Sequence, residues 1–236
     1  DVVSAPATTA PPATARPRGR AGAIRSLAMV EATRSLRGPS FWIGVAVCAV
    51  LAYESRGIDW QGGAYEIFTV GFVPLAGGIF CAGVVAGGRD RRHGGTPGLA
   101  EEAALGPTER AIARLLGLLP LVVLASVAVI AVAVGIRIEG GLWLGNRPGR
   151  TDSAVHGIAE LLAPVVMFVV AAAAGVALGR VVRRKTTGIV IGIVAFFVMT
   201  GMYWVLQFPP VGYVSPVLTQ PISVDVDGPA TDPRAL

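Results

Sequence analysis

Apolar residues fall along this chain in five blocks separated by polar stretches rich in arginine. Four of them, 67–87, 115–136, 161–179 and 188–208, have membrane length, and a shorter one at 41–53 reaches it only if its flanks, about 40–55, lie at the interfaces. A helix needs ~20 residues to cross ~30 Å of hydrocarbon. Phe41 and Trp42 at one end and Tyr53 at the other are suited to anchor the short block among headgroups. The pattern predicts an all-α polytopic membrane protein with a bundle of five transmembrane helices.

Ahead of the first block, Ile24, Ala28, Ala32 and Leu36 recur every fourth residue, while Arg34 and Arg37 lie elsewhere. This spacing predicts a weakly amphipathic interfacial helix over 24–37, ended by Gly38-Pro39, which turns the chain into the membrane. Residues 1–23 are rich in Ala, Pro and Thr, carry Arg16, Arg18 and Arg20 and lack apolar periodicity, so a disordered basic tail is expected there. Because the chain opens at Asp1, its start is expected to lie upstream.

Composition makes the bilayer the solvent to reason in. The 236 residues are 53% hydrophobic and 15% charged with mean hydropathy +0.64, too apolar for a soluble globular domain of this length. A net charge of +5 raises nucleic acid as a partner, but the basic residues stand between apolar blocks rather than along one face. Fifteen of the 20 lie in the amino-terminal segment, the 89–114 connection and the 180–185 connection. The positive-inside rule places those in the cytoplasm and 209–236 outside. Only Lys185 is lysine, and this preference for arginine, together with the richness in Ala, Gly and Val, points to a GC-rich bacterial genome. Cys48 and Cys81 fall in separate apolar blocks and read as small packing residues, without disulfide or metal.

Within the blocks, Gly83 with Gly87, Gly175 with Gly179, Gly188 with Gly192 and the alanines 171–174 have the spacing that lets helix backbones approach closely, either within one bundle or at a dimer seam. Pro120 and Pro164 are expected to bend their spans. Ionisable residues keep to the ends: Glu66, Arg114, Glu160 and Arg180 are all placed to reach water or headgroups. An interior of this kind suits a hydrophobic or amphipathic substrate moved by energy from elsewhere.

No enzyme chemistry is legible. The sole lysine follows Arg184, so no phosphate-cradling G-x-x-x-x-G-K-[ST] loop exists, and His93 and His156 fall in connections on opposite sides of the membrane. Ser126, Ser153 and Thr200 lack the His and Asp of a triad. Phe168, Phe196, Phe197, Met199 and Tyr203, with Trp204, are candidates to line a substrate pathway, although such residues more often pack or face lipid.

The longest polar interruption, 89–114, is the natural docking point. It opens with Arg89, Arg91, Arg92 and His93 and turns at Gly94-Gly95. Thr96 can then cap a short helix over 99–105 carrying Glu101 and Glu102. Gly106-Pro107-Thr108 sets a second turn, with Thr108 placed to cap a helix through Glu109 and Arg110. A solvated loop with one helical turn is the plainer reading of the same spacing.

An interfacial helix, two spans, a short cytoplasmic helix with a G-T…L…P-x-x-R pattern and further alternating spans resemble the permease subunit of a type-2 ABC exporter. The matching residues are Gly95, Thr96, Leu99, Leu105, Pro107 and Arg110, and the likeness extends over about 24–208. It implies that 96–105 is a coupling helix contacting a separate ATPase through Gly95, Thr96, Leu99, Glu101, Glu102, Leu105, Pro107 and Arg110. It further implies that ATP and magnesium bind that partner and not this chain, and that a second permease completes a homo- or heterodimer. Pro97-Gly98 is a poor helix start, so the coupling helix is expected to begin at Leu99. Such permeases have six spans, and the sixth is expected beyond Leu236. The competing reading is a non-transporting membrane scaffold or immunity-type subunit in which 89–114 is only a linker.

Overall fold

Apolar periodicity becomes helix throughout the computed structural model, which describes residues 19–54, 64–89, 105–141, 161–182, 184 and 186–194. In chain order the helices are α1 (Arg20–Arg37), α2 (Pro39–Glu54), α3 (Ala64–Gly71), α4 (Val73–Gly87), α5 (Pro107–Ile138), α6 (Ala163–Val181) and α7, helical from 186 to 194. No strand occurs among the described residues. Phe68–Gly87, Pro107–Ile138 and Ala163–Val181 are each long and apolar enough to cross a membrane, and α1 with α2, bent by 46°, make a fourth if the pair is one broken span. The described chain thus carries three to four candidate spans where five were expected. α7 overlaps the start of the fifth block, whose remainder lies outside the described residues.

α1 starts at Arg20, within the stretch expected to be a tail; residues 1–18 lie outside the described residues. Its buried stripe is Ala23, Leu27, Glu31 and Ser35, one position before the predicted face, so Ile24, Ala28, Ala32 and Leu36 form a half-buried flank. The helix ends where expected. Gly38 takes an extended conformation (ψ 140°) because the ring of Pro39 disfavours helical geometry in the residue before it. The Trp42 indole N–H donates to the Leu36 carbonyl at 2.7 Å, filling an acceptor that the break leaves open.

α3 and α4 are separated by Phe72, which closes a tight turn onto the Thr69 carbonyl, and Pro74 opens the first turn of α4. α4 lies at the centre, packed against α2, α5 and most extensively α6. Glycines make that intimacy possible. A Cβ at Gly83 would come within 3.0 Å of the Val176 nitrogen, and one at Gly87, Gly175 or Gly179 would collide with the facing carbonyl of Val176, Phe80 or Val84. The predicted pairs 83/87 and 175/179 therefore form one seam inside the chain. Gly44 and Gly78 do the same between α2 and α4, against the carbonyls of Pro74 and Ser40 at 2.6 and 2.7 Å, and Gly188 and Gly192 lie against Val84 and Phe80.

α5 begins at Pro107, with Gly106 as its cap and the Gly106 N–H donating to the Glu109 carboxylate at 2.7 Å. Thr108 therefore stands inside the first turn and is not the cap that was expected. Pro120 sits within a helix that continues to Ile138, and Pro164 occupies the first turn of α6, where its missing N–H disrupts nothing. At 32 residues, α5 is about 48 Å long, well beyond the hydrocarbon thickness of a bilayer. Its core face, Leu118, Leu121, Ala125 and Val129, packs with Ile79 of α4 and Phe168 and Val176 of α6.

Candidate functional site: a charged junction at the two ends of the central connection

Where α1 crosses the start of α5, the bundle changes character. Gly117 lets the two helices touch: a Cβ there would come within 2.5 Å of the Glu31 Cβ and 3.0 Å of the Ala28 carbonyl oxygen. The Ser35 hydroxyl donates to the Gly117 carbonyl at 3.2 Å, and also lies 3.0 Å from the Ala32 carbonyl of its own helix. This close approach carries Glu31 into the interior, where it is only 2% exposed. A carboxylate taken out of water at a cost of several kcal/mol must be paired. Arg89, just past the end of α4, forms an ion pair with it, and Arg34 stands 3.7 Å from its other oxygen. The two arginines differ in setting. Arg89 is 19% exposed and Arg34 56%, so the first is the interior partner and the second a solvent-side one worth little by itself.

The far end of the same connection is fastened to the same helix. Leu105 is 4% exposed and packs with Ala23 and Leu27 of α1 and Ala113 of α5. Residues 90–104 lie outside the described residues, but their flanks both converge on α1, one through charge and one through apolar contact.

Of the residues expected to contact a partner ATPase, Gly95, Thr96, Leu99, Glu101 and Glu102 lie outside the described residues. Leu105 overturns its assignment: it is turned inward onto its own chain, because an apolar side chain beside the α1 stripe loses more water by packing there than by facing out. Pro107 is exposed in the first turn of α5 and Arg110 half-buried one turn on. Among the pathway candidates, Phe168 is wholly buried and meets Phe72 edge-on at 6.5 Å, which makes it core packing and not a lining residue. Phe196, Phe197, Met199, Tyr203 and Trp204 lie outside the described residues. Arg114, expected at a span end within reach of water, is fully buried between Ala113 and Gly117, since α1 covers that part of α5.

Glu31 was missed altogether. A signal for it did exist: it is the only carboxylate between Asp1 and Glu54, set among six arginines. Compared with known proteins, the chain matches no family model, no curated protein and no solved structure.

Proposed function

We propose that this chain is the permease subunit of a type-2 ABC exporter, moving a hydrophobic or amphipathic substrate across a bacterial inner membrane with force from a separate ATPase. In this reading the amino terminus and the central connection are cytoplasmic, 188–208 is a further span, and ATP and magnesium act on the partner. A second permease completes the assembly. The observation that carries the reading is the convergence of both ends of 90–104 on α1, through Arg89–Glu31 and Leu105. A segment pushed by a soluble partner must hand its displacement to something stiff, and an 18-residue helix bent at Gly38-Pro39 into the next apolar helix is suited to receive it. With Leu105 committed inward, partner recognition falls to 95–102 and to Pro107 and Arg110.

The test is co-purification from native membranes. Leu99→Asp combined with Glu101→Lys is expected to lose an ATPase that the unsubstituted chain retains; undiminished association removes the proposal. A second reading, a membrane scaffold without transport, is favoured by the inward turn of Leu105, and the absence of any co-purifying ATPase from the unsubstituted chain would select it.

A further inference from the structure

At the charged junction α1 meets the rest of the bundle. α4 is seated on α6 along the glycine seam, and α1 is seated on α5 through Gly117, Ser35 and the Leu105 cluster. Between α1 and α4 themselves contact is sparse, and the Glu31–Arg89 pair joins α1 to the residue just past the end of α4. A buried ion pair is unlike apolar glue. Its Coulomb gain is largely offset by desolvation, so it adds little net stability, yet it penalises any arrangement that separates the charges while they remain dry. It therefore favours two states, closed and dry or open and hydrated. Water is at hand, because Arg34 lies 3.7 Å from the same carboxylate and is largely exposed.

α1 is also marked where it runs on into the bundle. Gly38 is extended ahead of Pro39, and α1 and α2 meet there at a bend of 46°. We infer that the Glu31–Arg89 pair is a latch holding α1 on the bundle formed by α4, α5 and α6, closed in this structure, whose opening frees α1 to swing about Gly38-Pro39 and lifts Ser35 off Gly117. Arg34 shares a helix with Glu31 and moves with it, screening the carboxylate once Arg89 is withdrawn. The use of this latch in transport rests on the permease reading; its existence does not.

The experiment uses the full chain in native membranes, with Cys48 and Cys81 replaced by alanine, Ser35→Cys as a reporter and a water-soluble maleimide as the probe. Glu31→Gln and Arg89→Gln are each expected to raise the labelling rate at position 35 about ten-fold or more, the size of a modest local opening. The double substitution is expected to add nothing beyond the larger single effect, and a reporter placed in the core by Ala125→Cys stays unlabelled throughout. Unchanged labelling at 35, additive effects of the two substitutions, or a parallel rise at 125 each overturn the latch. Should Glu31→Gln fail to accumulate, Arg89→Gln alone decides, a flat response overturning the inference. In membranes that also carry the partner ATPase, ATP with magnesium is expected to raise labelling with Glu31 and Arg89 intact. Silence to ATP with the substitutions behaving as stated removes the permease reading and leaves the latch standing.

Discussion

The α4–α6 seam and the α1–α5 junction solve one problem, bringing two helices into contact, by opposite means. At the seam, Gly83, Gly87, Gly175 and Gly179 remove side chains so that backbone meets backbone, and what holds is van der Waals contact over a large area. At the junction a single glycine, Gly117, gives α1 access, and the space is filled by a carboxylate, a hydroxyl and arginines. Dispersion contact of the first kind has no second state short of separation. Charge pairing of the second kind does, because water can take over from either partner.

Substitutions should tell the two apart. The largest effect is expected at the seam: Gly175→Val drives a side chain into the Phe80 carbonyl and is expected to cost about 3 kcal/mol, the upper range for overpacking, read as loss of folded protein or a sharply lowered Tm in detergent. Survival with an unchanged Tm would mean the seam is loose. Gly117→Leu is expected to cost about 2 kcal/mol by displacing Glu31 and Ala28, and to raise maleimide labelling at position 35 while the α4–α6 core stays protected. A global loss of protection instead would make junction and seam one cooperative body. Arg34→Ala is expected to change stability by less than about 0.5 kcal/mol, as for an exposed i,i+3 pair. A larger loss would make Arg34, and not Arg89, the main partner of Glu31.

How legible all this was depended on where the physics acts. The apolar blocks at 67–87, 115–136 and 161–179 correspond to Phe68–Gly87, Pro107–Ile138 and Ala163–Val181, because bilayer thickness constrains composition directly. The break at Gly38-Pro39 and the glycine pairs 83/87 and 175/179 were equally readable, being local steric facts. The face of α1 was misjudged by one residue. A hydrophobic periodicity rule prefers Ile24, Ala28, Ala32 and Leu36 to a stripe holding Glu31 and Ser35, and it takes partners distant in the chain, Arg89, Leu105, Ala113 and Gly117, to make that stripe the stable one. Leu105, Arg114 and Phe168 were misplaced for a related reason. Hydropathy locates a residue along the membrane normal but says nothing of which neighbour covers it.

The uninterrupted run of α5 has a mechanical corollary. From Gly117 to Ile138 it is a stiff rod, and it stops abruptly at Gly140 and Gly141, whose φ of 112° and 85° only glycine adopts readily. A tilt of about 10° applied where α1 grips one end would sweep the other through roughly 5 Å, given a rise of 1.5 Å per residue. Leverage across the bilayer would then come from the helix as a solid beam, with no relay of side chains in between.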